Sequence, residues 1–115
     1  MSVSIALEEL DGGLRKIALD GTLDAPGTID IENEFQSMLL NQGGNVIVDL
    51  GELVYMSSYG LRMLLLGAKS LKDAGGEMHL AAANERVMEL ISLAGYDTMF
   101  PVHPSVEDAI RFLTG

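Results

Sequence analysis

Hydrophobic and polar positions alternate in the N-terminal part of the chain. Val3, Ile5 and Leu7 are spaced two residues apart, and Ile17 and Leu19 repeat that spacing in the next segment. Between the two segments the chain reads Asp-Gly-Gly, a sequence typical of a turn. Because side chains of a strand point alternately to its two faces, this pattern predicts a β-hairpin with one face toward the core.

Later in the chain, hydrophobic residues recur at steps of three and four, a period that predicts amphipathic helices. Capping residues mark the helix boundaries. We expect Thr28, Asn84 and Ser105 to begin helices, and the glycine pair at 75–76 and Gly95 to end two of them.

Short apolar runs between the helices predict three further strands, at residues 46–50, 77–82 and 99–102. The last run contains Pro101, which has no N–H to donate and therefore belongs at a sheet edge. The predicted order is β-β-α-β-α-β-α-β-α. Repeated strand–helix–strand units favour an α/β fold with a mixed, mostly parallel sheet covered by helices. At this length we expect residues 1–115 to form a single domain.

The strand at 46–50 leads into a helix through a seam that contains Ser57 and Ser58. A serine at a helix start has two interpretations. Its hydroxyl can cap free backbone N–H groups, which stabilises a helix by about 1 kcal/mol. A phosphate at the same position would meet unpaired N–H donors and the positive end of the helix dipole. A cap and a phosphorylated switch therefore both remain open here.

The helix after the seam has a mixed outer face. At the helical repeat angle, Arg62, Lys69 and Asp73 fall on the solvent side, Leu66 lies among them, and Met63 lies at their border. Single exposed Leu or Met residues are ordinary. Two of them beside a modifiable serine would nevertheless form a small apolar patch, which is a candidate docking face for a protein partner.

The seam resembles the signature of STAS domains and, among them, of the anti-sigma factor antagonists. That signature is a strand ending in Asp-Leu, a hydrophobic turn, and then Asp-Ser-Ser/Thr-Gly-Leu opening a helix. The corresponding residues are Asp49-Leu50, Leu53, Met56 and residues 57–61, which read Ser-Ser-Tyr-Gly-Leu. Ser57 stands where the founding members have Asp, and Tyr59 stands where a small residue is usual. Residues 21–25 and 94–100 resemble two further family segments, so the likeness spans nearly the whole chain.

The resemblance implies a binding module controlled by phosphorylation. In the family, a partner kinase phosphorylates the serine two residues before the glycine, which corresponds to Ser58, with Ser57 as the rival acceptor. The implied partners are an anti-sigma factor that is a serine kinase and a serine phosphatase that resets the switch. Unphosphorylated, the chain would bind the kinase and free the sigma factor that the kinase holds. The residues expected on the partner-binding face are Asp24, Ser57, Ser58, Tyr59, Gly60, Arg62, Met63 and Leu66.

A second interpretation keeps the fold and changes the partner. Stand-alone STAS domains also serve as accessory subunits of transport complexes or as parts of larger signalling assemblies. The same helix face would then be a constitutive contact. A small-ligand sensor is a third alternative, and it would need a pocket that sequence patterns do not reveal.

Composition narrows the classes of partner. The net charge is −10 with seven Lys and Arg residues, and an acidic surface repels nucleic acid phosphates and anionic lipid. We therefore expect a protein partner and no direct nucleic acid binding. The chain has no apolar stretch long enough to cross a membrane and no signal peptide pattern, so we expect no membrane insertion and a cytoplasmic location. The absence of cysteine excludes disulfides and thiolate ligands.

Catalytic patterns are weak, and we expect neither enzymatic activity nor a bound cofactor or metal. His79 and His103 have no partner at ligand spacing, so each is interpreted as a structural or surface histidine. Ser58, Asp97 and His103 occur in an order known from hydrolase triads, but chain order without geometry carries little weight. The Gly-x-Ser-x-Gly motif of hydrolases is also incomplete, because position 56 is Met.

Overall fold

The computed structural model describes residues 2–41 and 43–115 and shows the predicted succession of strands and helices. In these residues the strands are β1 (Val3–Glu9), β2 (Arg15–Leu23), β3 (Val46–Met56), β4 (Met78–Ala81) and β5 (Val102–His103). The helices are α1 (Ala25–Leu40), α2 (Ser58–Asp73), α3 (Glu85–Leu93) and α4 (Val106–Thr114). Single 3₁₀ turns lie at Asp11–Gly13 and Tyr96–Thr98.

The strands form one mixed sheet in the order β1-β2-β3-β4-β5. The predicted hairpin is confirmed, because β1 and β2 pair antiparallel from Val3 opposite Gly21 to Glu9 opposite Arg15. All later neighbours pair in parallel. Parallel strands bring their carboxyl ends to one edge of the sheet, so the segments that follow β2 and β3 are neighbours in space.

Helices cover the sheet unequally. The face under α1, α2 and α3 carries the large hydrophobic core, to which β2 and β3 contribute fully buried Ile17, Leu19, Val48 and Leu50. The opposite face carries only a small cluster beneath α4, made by Leu14, Ile47, Ala81 and Ala109. Since buried apolar area is the main stabilising term, α4 is more weakly anchored than α1 or α2.

Two strand predictions were wrong in their bounds. The strand predicted at 46–50 continues to Met56, because β2 follows β3 through two register shifts as far as Leu23 opposite Met56. The strand predicted at 99–102 begins only at Val102, after the 3₁₀ turn. Pro101 contributes its carbonyl oxygen, which accepts from the Leu80 N–H at 2.9 Å. The predicted edge position is correct, because β5 ends the sheet.

The predicted start of α1 was also wrong. Its N-cap is Asp24, whose carboxylate accepts from the Gly27 N–H at 2.8 Å, and Pro26 lies in the first turn. Proline suits that turn because its missing N–H has no helical acceptor there. The Thr28 hydroxyl instead donates back to the Asp24 carbonyl at 2.8 Å. The caps predicted at Asn84 and Ser105 are confirmed.

Arg15 fastens the end of α1 to the start of β2. Its guanidinium is buried and donates to the carbonyl oxygens of Met38, of Leu39 at 2.8 Å and of Gly43 at 2.6 Å. Burial lowers the pKa of Arg15, and the nearby charge of Glu9 opposes that shift. The last carbonyls of a helix have no intrahelical donor, so Arg15 acts as a non-local C-cap for α1.

Candidate functional site

Ser57 lies where the ends of β2 and β3 meet. Its backbone N–H and its Oγ both donate to the carbonyl oxygen of Leu23, at 2.9 and 3.0 Å. The same Oγ accepts from the Gly60 N–H at 3.3 Å, which makes Ser57 the N-cap of α2. The Ser57 hydroxyl is therefore half-buried and already used as both donor and acceptor.

Ser58 has the opposite environment. It is the first residue of α2, its side chain is exposed, and its hydroxyl makes no hydrogen bond with any residue that the structure describes. The hydroxyl lies beside the first-turn N–H groups of α2, which a helix leaves without intrahelical acceptors. Of the adjacent pair, Ser58 is exposed with an unbonded hydroxyl among the described residues, whereas Ser57 is half-buried and its hydroxyl is hydrogen-bonded.

Asp24 directly follows Leu23, so the N-terminus of α1 begins one residue from the Ser57 contact. Its half-buried carboxylate is occupied by the cap to Gly27. The family resemblance implied that Asp24 lies on the partner-binding face, and the structure brings it beside the seam through the shared carboxyl edge of β2 and β3. The N-termini of α1 and α2 therefore open on the same edge of the sheet.

Gly60 permits the close packing of this edge. A Cβ atom at position 60 would lie 2.6 Å from Leu23 Cδ2 and 3.0 Å from Met56 Cγ. Those separations are far below ordinary van der Waals contact. Gly60 is buried and does not present a side chain to a partner, so its part in the site is to let α2 approach the β2 end.

A groove of about 280 Å³ runs between the first turns of α1 and α2. Its rim carries three exposed apolar side chains, Ile29 (70% exposed), Tyr59 (64%) and Leu66 (49%). Arg62 also lines it from the exposed face of α2. We call this surface the α1–α2 groove.

The predicted position of Met63 on the outward patch was wrong. Met63 is only 7% exposed and packs in the main core, so it contributes to the floor of the α1–α2 groove and not to its rim. The physical reason is that α1 packs beside α2 and covers the border at which the helical repeat placed Met63. Leu66 is exposed as predicted.

A second hollow, of about 440 Å³, lies on the other side of the α2 start. Both Ser57 and Ser58 line it, together with Tyr55 from the end of β3 and Arg86 and Leu90 from α3. Arg86 makes no ion pair with the part of the chain that the structure describes. Arg62 and Arg86 thus line separate hollows on the two sides of the α2 start.

Sequence reasoning missed Ile29, Tyr55 and Arg86 as lining residues. Ile29 lies on the exposed side of α1. The sequence predicted that this helix begins at Thr28, so the turn formed by residues 25–28 was not expected. Arg86 could have been noticed as one of seven basic residues, but nothing local indicated that α3 packs beside α2.

The two histidines, interpreted as unrelated, are in contact. His79 Nδ1 and His103 Nε2 lie 2.9 Å apart, because β5 pairs with β4. No triad forms with Ser58, whose hydroxyl has no hydrogen-bond partner among the described residues. In the same residues, no group of three or more His, Asp or Glu side chains is arranged to hold a metal ion.

Within the described residues, no helix combines the length and apolar character needed to span a bilayer. The longest of these, α1 and α2, have 16 residues each.

The model of the STAS domain family matches residues 5–109 of the chain. A protein of Bordetella bronchiseptica, provisionally named the anti-sigma factor antagonist BtrV, is 33% identical over 107 residues. The matched segment covers 93% of this chain and 91% of that protein.

Solved structures show the same architecture. An anti-sigma factor antagonist from Mycobacterium paratuberculosis superimposes with a TM-score of 0.89 at 21% identity, covering 98% of this chain and 95% of that one. Unphosphorylated SpoIIAA, also an anti-sigma factor antagonist, gives 0.81 at 20% identity over 97% of each chain. The phosphorylated form of SpoIIAA from Bacillus gives 0.71 at 19% identity, covering 94% and 97%.

The fold and the seam define a small α/β domain in which a capped helix presents a serine at the carboxyl edge of a mixed sheet. The chain belongs to the STAS domain family.

Proposed function

We propose that the chain is an anti-sigma factor antagonist whose binding to a cognate anti-sigma factor is controlled by phosphorylation of Ser58. The observation that carries the proposal is the contrast at the α2 start. The Ser58 hydroxyl is exposed and unbonded among the described residues, and it lies between two concave surfaces. The names of the relatives support the class of partner.

The environments of the two serines favour Ser58 over Ser57 as the acceptor. To be phosphorylated, Ser57 would have to give up its bond to Leu23 and uncap α2. Loss of an N-cap costs a helix about 1 kcal/mol, and the half-buried oxygen would also have to reach a kinase active site. Ser58 meets neither obstacle.

In the unmodified state, the anti-sigma factor would dock on the α1–α2 groove and the adjoining α2 start. Tyr59 and Leu66 supply exposed apolar area, and Arg62 supplies a charged contact. Aromatic and Arg side chains are enriched among the residues that dominate interface energies. Tyr59, which replaces the family's small residue, would therefore strengthen the contact as an anchor.

Phosphorylation would reverse docking. The kinase would transfer the γ-phosphoryl group of ATP to Ser58 Oγ: an O–P bond forms, the bond to ADP breaks and the hydroxyl proton leaves. The phosphate brings nearly two negative charges and bound water to a surface that must be desolvated in the complex. A loss of about 3 kcal/mol would weaken binding roughly a hundredfold. A serine phosphatase would hydrolyse the ester and restore the hydroxyl.

The proposal is tested by incubating the chain with its cognate anti-sigma factor kinase and ATP, followed by intact mass and fragment mapping. We expect one phosphate on Ser58 in the wild type and in Ser57→Ala, and none in Ser58→Ala. The Ser57→Ala variant is the matched control, because it removes the neighbouring hydroxyl and leaves the acceptor.

Phosphate on Ser57 would contradict the choice of residue. Absence of modification on either serine, with unchanged binding to the kinase, would contradict the switch. That result would favour a constitutive contact of the same face, as in an accessory subunit of a transport complex.

A further inference from the structure

The face of the sheet that α4 covers contains a histidine pair, the buried His79 of β4 and the half-buried His103 of β5. His79 has no exposed surface, and the two rings stack with centroids 5.1 Å apart and planes within 7°. Phe112 of α4 contacts both rings, at centroid distances of 5.6 and 5.4 Å. The pair therefore joins β4, β5 and α4 at one point.

Hydrogen bonding fixes the protons of the neutral pair. His79 Nε2 lies 3.2 Å from Glu77 Oε1, and an ionised carboxylate can only accept, so His79 Nε2 carries a proton. In a neutral imidazole the other nitrogen is then a bare acceptor. His103 Nε2 must therefore donate to His79 Nδ1 across the 2.9 Å contact.

This contact tolerates one additional proton and not two. A proton added to the free Nδ1 of His103 leaves the bond from His103 Nε2 to His79 Nδ1 intact. Once both rings are charged, every ring nitrogen carries hydrogen. Two N–H groups then face each other across the 2.9 Å contact between stacked cations, with no acceptor between them.

We propose that the histidine pair is a pH-sensitive latch that holds β5 and α4 on the sheet while one ring is neutral, and releases them when both rings become charged. The elements it holds are weakly attached. Strand β5 has only two residues, paired to Leu80 and Ala81, and α4 covers only the small cluster. Segments with few buried apolar contacts open at lower free energy than the core.

The charges around the pair fit this behaviour. Directly before β4, the Glu77 side chain is exposed and pairs with His79. On α4, Asp108 faces His103 but pairs with Arg111 at 3.3 Å. From β3, Ile47 lies opposite His79, and Asp49 is two strands from His103 and 3.9 Å from Lys16. The partners that favour positive rings are thus exposed or shared with a cation.

Burial, together with the neighbouring His79, lowers the pKa of His103, and Asp108 opposes part of that shift. A histidine whose pKa is lower in the folded state contributes stability above its unfolded pKa of about 6.5. That stability is lost as pH falls from this value through the lowered pKa of the folded state. The first added proton leaves the contact intact, so the latch stays closed near neutral pH and opens only when acidification charges the second ring as well.

The test is amide hydrogen exchange of α4 in the wild-type chain between pH 7.5 and 5.5, corrected for the intrinsic exchange rate. We expect exchange in α4 to accelerate as pH falls, by up to about tenfold per pH unit where opening takes up one proton. Exchange in α2 should change much less. His103→Gln is the matched variant, because its amide can donate to His79 Nδ1 without titrating, and its α4 should not respond to pH.

Equal protection of α4 at both pH values would overturn the latch, as would equal acceleration in α2 or a retained response in His103→Gln. If that variant does not fold, ring-nitrogen chemical shifts of the wild type decide. The sequence contains two histidines, so every histidine ring signal comes from this pair. Two rings titrating independently near the value for an exposed histidine would also overturn the proposal.

Discussion

At the scale of single residues, the candidate site contains two adjacent serines whose hydroxyls have different hydrogen-bonding environments. The Ser57 hydroxyl is engaged by Leu23 and Gly60, and the Ser58 hydroxyl is not engaged by any described residue. The turn from the end of β3 into α2 makes one of them a half-buried cap and leaves the other with an exposed hydroxyl. Stability measurements can distinguish these environments without a partner protein.

We expect Ser57→Ala to lower the free energy of unfolding by about 1 kcal/mol, the usual cost of losing an N-cap. Ser58→Ala should change it by less than about 0.5 kcal/mol, as for other exposed positions. Urea unfolding of both variants measures the difference. Equal losses would mean that Ser58 also supports the helix, which would remove the basis for separating their roles.

Gly60 gives a second residue-scale prediction. Alanine is ordinarily favoured over glycine within a helix by about 1 kcal/mol. Here the added Cβ would lie 2.6 Å from Leu23 Cδ2, so we expect Gly60→Ala to destabilise the chain by roughly 1–3 kcal/mol. The loss should be smaller in a Leu23→Ala background, because that change removes the clashing atoms. Thermal unfolding measures both, and additive losses would exclude the steric explanation.

At the scale of elements, Arg15 supplies a contact that no local pattern announces. We expect Arg15→Met to cost roughly 3 kcal/mol, because two carbonyl oxygens at the end of α1 and that of Gly43 in the following loop lose a charged donor. The control is Lys16→Met, whose ion pairs with Glu8 and Asp49 are partly solvated and contribute about 0–1 kcal/mol. Chemical denaturation of both variants tests this, and similar small losses would contradict the capping role of Arg15.

The elements that the sequence predicted well are those with local signals. Helices α2, α3 and α4 follow from hydrophobic periodicity and from caps at Asn84 and Ser105, and the hairpin follows from alternation around Asp-Gly-Gly. The errors lie where non-local pairing decides. Strand β3 extends to Met56 because β2 continues beside it, and β5 starts late because Pro101 cannot donate to the sheet.

The candidate site was predicted in the same uneven way. The positions of Ser58 and Leu66 could be predicted from α2 alone, because both follow from the helical repeat of that segment. Met63 could not, since its burial depends on α1. Arg86 and the contact between His79 and His103 depend on which elements become neighbours in the sheet and around it, information that a single sequence does not carry locally.

At the scale of the whole molecule, the position of charge matters more than its total. The chain carries −10, yet Arg62 and Arg86 lie on either side of the proposed acceptor. The proposed kinase would bring the negative phosphates of ATP to this place. Cations beside the acceptor would favour the encounter and reduce repulsion from the acidic surface.

We therefore expect Arg86→Gln to slow association with the kinase–ATP complex by about threefold or more at low salt, and to weaken the salt dependence of the rate. Arg111→Gln on α4 changes the net charge equally, but it lies beyond the opposite face of the sheet and should have little effect. Stopped-flow kinetics at two ionic strengths can compare them. Equal effects would show that net charge, not position, governs association.

The central claim is that a phosphate on Ser58 switches a binding surface off. The most direct test is the affinity of the cognate anti-sigma factor for the unmodified chain and for the chain carrying a single phosphate on Ser58, measured by calorimetry. We predict a dissociation constant at least about a hundredfold higher for the phosphorylated chain, equivalent to about 3 kcal/mol. Equal affinities for the two forms would contradict the account.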